Sequence, residues 1–192
     1  MQARLGGGKR KPEPVFSTSY RRRGSVNLVI IGVDPSLRGT GYGVIQLTPA
    51  RPRALDHGVI VCPSGWERSR CLMKIAQTLR DVAARYNPGV CAIEGLFYAQ
   101  NLQTALIMGE ARGAALGALA EAGVEIYEIA PRKVKQAMVG YGAAQKTAVG
   151  KMVQRMLQLT EPPPPDAADA LAVALAHAHD TRRQFGIGSK RI

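Results

Sequence analysis

A chain of 192 residues, 46% of them hydrophobic, can bury one sizeable core, which excludes large two-lobed machines. Lys and Arg number 26 against 14 Asp and Glu, and the resulting +12 points to a polyanionic partner, nucleic acid first; a generic basic protein is the plainer alternative. Residues 1–25 hold no apolar h-region, the longest apolar stretch (residues 26–33) is too short to span a bilayer, and Cys62, Cys71 and Cys91 form no CxxC pair, so a secretory signal, a membrane span, a disulfide framework and a thiolate zinc site are all disfavoured and a reducing, cytoplasmic compartment is expected.

Residues 1–25 carry seven Lys or Arg against the single acid Glu13, interleaved with glycines, prolines and serines. Such a segment cannot build a core, and the expectation is a disordered basic tail that either adds phosphate affinity or serves as a dispensable leader. The domain proper is expected over residues 26–180, with a second basic tail over residues 181–192. Residues 27–33 form a β-branched apolar run, the pattern of a strand covered on both faces. Residues 42–47 and 55–61 follow at hairpin spacing, with turns expected at Arg38-Gly-Thr-Gly41 and Thr48-Pro-Ala-Arg-Pro52, giving an antiparallel meander. Apolar residues at three- and four-residue intervals predict a helix over 66–86, stopped by Asn87-Pro88-Gly89. A buried strand at 90–93, a helix over 102–122 and a fifth strand at 124–129 come next. Pro131 suits the first turn of a short helix, another helix runs to about 159, and the last starts at Asp166 after four prolines. Three strands followed by β/α alternation predict an α/β fold built on a five-stranded mixed sheet with helices on both faces. Gly39-Thr-Gly-Tyr-Gly43 lacks the spacing of a dinucleotide fingerprint and leads into a strand, so that reading carries little weight.

Two acids stand out because strands buried on both faces seldom carry them. Asp34 ends the first strand and Glu94 the fourth, and carboxyl ends of parallel strands are where α/β sheets bind ligands. If the two strands are neighbours, both carboxylates project into one cleft, where they repel unless a cation lies between them. Asp166 and Asp169, at i and i+3, add a third and fourth candidate. Helix capping competes for that pair, and a turn cap at Asp34-Pro35 competes for the first acid. Oxygen-only donors suit Mg²⁺ or Mn²⁺ and disfavour Zn²⁺. A basic chain with a carboxylate and metal cluster implies phosphodiester hydrolysis, with one metal activating water and a second stabilising the leaving oxygen. His177 and His179 fit a core or surface role better than that of a general base.

Several ordered motifs between about residues 28 and 179 then resemble one family. They are Ile31-Gly-Val-Asp34-Pro35 with Arg38 and Thr40-Gly-Tyr-Gly43, Ile93-Glu94 with Phe97 and Asn101, Thr104-Ala-Leu106 with Ala111-Arg-Gly113, Ala130-Pro-Arg132 with Val134-Lys135, Val139-Gly-Tyr-Gly-Ala143 with Lys146, and Asp166-Ala-Ala-Asp-Ala-Leu171. Together they resemble the RuvC Holliday-junction resolvases. The resemblance implies an RNase H-like fold of the retroviral integrase superfamily, a homodimer, and paired incision of opposed strands at four-way junction DNA in recombination and repair. It implies that Asp34, Glu94, Asp166 and Asp169 are catalytic metal ligands, with two ions during cleavage, and that Phe97, Asn101, Arg112, Lys135 and Lys146 meet DNA. Phe97 would stack at the opened junction centre, Lys135 and Lys146 would flank the scissile phosphate, and Arg112 would contact phosphate or serve the structure. It also suggests RuvA and RuvB, the branch-migration proteins, as partners.

Ser36 and Gly95-Leu96 depart from the family's usual residues, and Gly95 is expected to loosen the loop that holds Phe97. Gly109, Gly113 and Gly117 form a smooth stripe on the second helix, open to a helix of a second copy or to one within the chain. The competing functions are an RNase H-like nuclease acting on RNA or an RNA–DNA hybrid, and a non-catalytic nucleic-acid-binding module, which would lack one of the four acids. An actin-like kinase fragment is too short to close two lobes.

Overall fold

The structure is a computed structural model and describes residues 28–96, 101–183 and 189–192, the side chains of 181–183 excepted. The expected basic tail at residues 1–25 and the expected junction contact Phe97 lie outside the described residues. Three strands open the chain: β1 (Val29–Asp34), β2 (Gly39–Gln46) and β3 (Arg53–Val61). Then come α1 (Arg68–Tyr86), β4 (Val90–Glu94), α2 (Leu102–Glu121), β5 (Glu125–Ile129), α3 (Pro131–Val139), α4 (Lys146–Leu157), α5 (Pro165–Arg183) and β6 (Lys190–Arg191).

The sheet runs in the order β3-β2-β1-β4-β5-β6. The hairpin-linked strands β1, β2 and β3 pair antiparallel, whereas β4 lies parallel to β1 and β5 parallel to β4, because a helix returns the chain between them. Five strands are those expected; the sixth comes from the segment expected to be a basic tail. The open edge of β5 accepts it, Tyr127 pairing with Arg191 and Glu128 with Lys190, while Arg191 meets Glu125 at 3.2 Å.

Alternation along β1 divides the core. Ile30 joins Ile45, Val90 and Ile129 beneath α3, α4 and α5, whereas Ile31 and Val33 join Val44, Ile60 and Ile93 beneath α1 and α2. The helix α5 packs on the centre of the sheet because Gly32, Gly41 and Gly43 present no side chain there. A Cβ on Gly32 would lie 2.0 Å from the Ala170 carbonyl oxygen, one on Gly41 1.9 Å from that of Asp166, and one on Gly43 2.5 Å from Leu171. This corrects the expected turn at residues 38–41: Gly39 to Gly43 belong to β2, and Gly41 pairs with Asp34. Their glycines serve close approach, not a left-handed backbone, since the described glycines with positive φ are Gly123 and Gly140.

The stripe on α2 faces outward. A Cβ at Gly109, Gly113 or Gly117 would meet nothing within 4 Å, so packing within the chain does not account for it among the described residues. Leu102 and Leu106 on the same helix are exposed. No helix among the described residues is long and apolar enough to cross a membrane.

Candidate active site

Three structural features converge on the carboxyl edge of the parallel strands. Val33 pairs with Ile93, so the residues that follow, Asp34 and Glu94, end adjacent strands side by side. Their carboxyl groups share a hydrogen bond in which Glu94 donates to Asp34. Burial, then the neighbouring Asp34 charge, pushes Glu94 up to about 8. Burial also raises Asp34, assisted by Asp169 and Asp166 and opposed by the Glu94 hydrogen bond and Lys146. Burial and crowded negative charge therefore both favour the protonated form of Glu94 over its carboxylate.

The second feature is α5. Its first turns, lowered onto Gly41, bring Asp166 and Asp169 to the same edge; a Cβ on Gly39 would stand 3.0 Å from Asp166 Oδ2. Asp166 lies in the first helical turn, so it answers the helix's positive end as well as standing near enough to Asp34 to raise its pKa. The third is Lys146 at the start of α4, whose Nζ donates to Asp169 Oδ2 at 2.6 Å and whose pKa that contact raises.

The loop after Asp34 is fixed from below. Thr40, fully buried, accepts from the Ser36 amide at 3.1 Å and donates its hydroxyl to the Ser36 carbonyl, and Arg38 reaches the Pro63 carbonyl and, at 3.3 Å, Cys71 Sγ. Both Thr40 contacts use the Ser36 backbone, so the side chain at 36 is free to depart from glycine. Gly95 donates to the Ile129 carbonyl at 3.0 Å, which ties the residue after Glu94 to β5; the loop it was expected to loosen, with Phe97, lies outside the described residues.

A cleft of about 900 Å³ opens over Asp34 and Glu94. Its far wall carries Arg132, Lys133 and Gln136 of α3; Lys135, on the same helix, does not line it. Pro131 starts that helix at the cleft rim, which turns residues 132 and 133 inward, and Gly142 leaves room for the Arg132 stem, since a Cβ there would lie 2.4 Å from Arg132 Cγ. Sequence reasoning passed over this pair although Ala130-Pro-Arg132 was in view. Asn101, expected at the DNA, caps α2: its Oδ1 accepts from the Thr104 amide at 2.8 Å. Arg112 faces inward, paired with Glu128. His177 is buried with its ring 4.7 Å from that of Tyr127, a core position.

Asp34 with Glu94, Asp169 with Lys146, and Asp166 over Gly39 are separate contacts at one edge of the sheet, of which Asp34 and Glu94 line the cleft; no three His, Cys, Asp or Glu side chains among the described residues close into a ready-made metal cage. The donor chemistry nevertheless fits a hard divalent cation. All the donors are carboxylate oxygens, and Asp34 and Glu94 are adjacent acids at the ends of neighbouring strands, an arrangement that nearby positive charge would favour.

The model of the family described as "Crossover junction endodeoxyribonuclease RuvC" matches residues 30–177. The chain belongs to the RuvC family. It is 46% identical over 148 residues to the RuvC of Akkermansia muciniphila, covering 77% of this chain and 89% of that one, and 42% identical over 166 residues to the RuvC of Rubrobacter xylanophilus, covering 85% and 93%. A solved structure of T. thermophilus RuvC in complex with Holliday junction substrate superposes with a TM-score of 0.79 at 34% identity, over 86% of this chain and 99% of that one. The yeast mitochondrial Holliday junction resolvase Ydc2, 12% identical with a TM-score of 0.54 over 81% of this chain and 85% of its own, shares the fold. The RNase H-like architecture expected for the RuvC family is therefore the one observed, with its sheet extended to six strands.

Proposed function

We propose that the protein resolves four-way DNA junctions by paired, metal-dependent hydrolysis of phosphodiesters on opposed strands, with Asp34, Glu94, Asp166 and Asp169 as its acidic centre. Membership of a family of crossover junction endodeoxyribonucleases supports the substrate. The observation that carries the chemistry is the Asp34 and Glu94 pair at the ends of adjacent parallel strands, with α5 bringing two further acids to it. Oxygen-only donors suit Mg²⁺ or Mn²⁺, and four carboxylates carry charge enough for two ions. Bound there, a divalent cation supplies Lewis acidity toward the phosphate and a water of lowered pKa.

The chain's own residues do the rest. Asp34 and Glu94 would serve as ligands in their ionised form, which burial disfavours unless positive charge is near. Lys146, largely exposed beyond its contact with Asp169, is positioned to hold a phosphate oxygen beside the acids. Arg132 and Lys133 line the opposite wall and would position the strand there. The outward glycine stripe of α2, flanked by exposed Leu102 and Leu106, supports a homodimer in which two copies present two such centres to two strands. The branch-migration proteins RuvA and RuvB are the partners this reading adds, and the three buried free thiols accord with a reducing cytoplasm.

The test is an end-labelled synthetic four-way junction, beside duplex and RNA–DNA hybrid controls, with Mg²⁺, Mn²⁺ or EDTA. Symmetric nicks confined to the junction and dependent on metal are expected, and Asp34→Asn should bind junctions but not cut them. Cleavage of the hybrid in preference to the junction would turn the reading to an RNase H-type enzyme, and tight binding without nicks in any metal to a non-catalytic module.

A further inference from the structure

Arg112 and Glu128 lie behind the acidic centre, outside the cleft lining. Arg112 extends from α2 beneath the ends of β4 and β5. One guanidinium nitrogen, Nη1, donates to the Glu94 main-chain carbonyl at 3.4 Å, and Nη2 donates to the Glu128 carboxylate. Glu128 pairs in the sheet with Ile93, the residue before Glu94, so the ion pair spans the two strands at the point where Glu94 leaves them. The side chains are 11% and 26% exposed, which withdraws the Arg112 charge from any DNA phosphate passing over the cleft. A planar guanidinium can meet a carboxylate and a carbonyl at once; a lysine ammonium placed at one of them does not reach the other in the same way. From this geometry we infer that Arg112 and Glu128 are positioning residues: a clamp that fixes the main chain of Glu94, and so the direction of its carboxylate, instead of contacting DNA.

The inference rests on the reading of Glu94 as a member of the catalytic centre. Carboxylates that act together on one phosphate must keep their geometry to a fraction of an ångström, and the groups that orient such ligands typically contribute about 10- to 100-fold. Glu94 is the last residue of its strand, where the ladder gives way to the loop, and the Arg112 contact adds to the hold of its pairing with Ile129.

The experiment compares wild type, Arg112→Lys, and the double variant Arg112→Met with Glu128→Leu, which removes both charges so that neither is left buried alone. Junction affinity is read in EDTA across a salt series, cleavage under single turnover with Mg²⁺, and folding by thermal melting. A clamp predicts unchanged affinity and salt slope in both variants, with cleavage about 10- to 100-fold slower in each. Should Arg112→Met with Glu128→Leu fail to melt cooperatively, Arg112→Lys alone decides. Weaker binding with a salt slope reduced by about one, retained in Arg112→Lys, would overturn the clamp in favour of a phosphate contact. Wild-type cleavage in a folded variant would overturn it as well. Glu94→Gln separates the two layers: if it cuts normally the catalytic reading of Glu94 fails, whereas if it is inert while both Arg112 variants cut at full rate the clamp alone fails.

Discussion

Replacing Gly41 by alanine adds a single methyl group where no space exists. The Cβ would lie 1.9 Å from the Asp166 carbonyl oxygen, 2.5 Å from its carbon and 3.2 Å from the Ala167 nitrogen, all of them backbone atoms of the first turn of α5. No rotamer relieves that overlap, so helix and strand must separate by about 1.5 Å to restore ordinary contact. Overpacking of this kind costs roughly 1–3 kcal/mol, or several degrees in Tm for a domain of this size. The larger consequence is chemical, because the turn that retreats carries Asp166 and the next carries Asp169, and a misplacement of about 1 Å at a catalytic group is worth on the order of 100-fold in rate. Gly65→Ala provides the comparison: it lies in an exposed turn away from α5, and a Cβ there would meet nothing within 4 Å. Single-turnover junction cleavage in Mg²⁺, with binding in EDTA and thermal melting alongside, should show Gly41→Ala folded, binding, and about 100-fold slower, with Gly65→Ala close to wild type. Wild-type cutting by a folded Gly41→Ala would refute the claim that close approach of α5 to the glycine floor sets the site.

Lys146→Gln removes the ammonium bonded to Asp169, and loss of one such charged donor at the phosphate should slow cleavage by about 10²-fold while junction affinity in EDTA changes little. The His177 contribution to stability should fall in mild acid, against the opposite contribution of Glu94, whose raised pKa favours the folded chain as pH drops below about 8: burial, partly opposed by Asp180, lowers the pKa of His177 below its ordinary 6.5, so the unfolded chain takes up a proton that the folded chain resists. The stabilisation from neutral His177 is full above about pH 6.5 and is lost as pH drops below it, so the melting temperature of His177→Phe, packed on Tyr127, should gain on that of wild type between pH 7.5 and 5.5, and a constant difference would refute the sign. Gly113→Glu places a charge in the outward stripe of α2; light scattering should report a monomer, and an unchanged dimer would remove the stripe from the interface.

The strands and helices were legible because each carries its own period: β-branched runs for β1 and β4, three- and four-residue spacing for α1, and breakers at Asn87-Pro88-Gly89 and residues 162–165. Asp34 and Glu94 stood out for a different reason, namely that a carboxylate at the end of a buried strand is costly and demands an explanation. What local pattern could not give is the partner of each charge. Lys135 and Lys146 read alike as cations beside the phosphate, and Arg112 as a phosphate contact or a structural residue, yet Lys135 sits half-buried away from the cleft, Lys146 meets Asp169 and Arg112 is turned inward to Glu128. Charge type is local, whereas its pairing is decided by residues 16 and 23 positions away in the cases of Arg112 and Lys146.

The glycines of β2 mark the limit most clearly. Arg38-Gly-Thr-Gly41 reads as a turn because glycine most often relieves a backbone constraint, and turn chemistry is its commonest local use. Their use here lies some 125 residues further along, in α5, and is visible only once the helix is seen resting on them. The same placement explains why α5 is rich in alanine, with Ala167, Ala170 and Ala174 fully buried: small residues on the helix meet absent side chains on the sheet. A pair of acids at positions 166 and 169 is therefore brought beside Asp34 by residues that carry no chemistry of their own, and the competing reading of a helix terminus is compatible with that placement, since Asp166 stands in the first turn of α5 and near Asp34 at once.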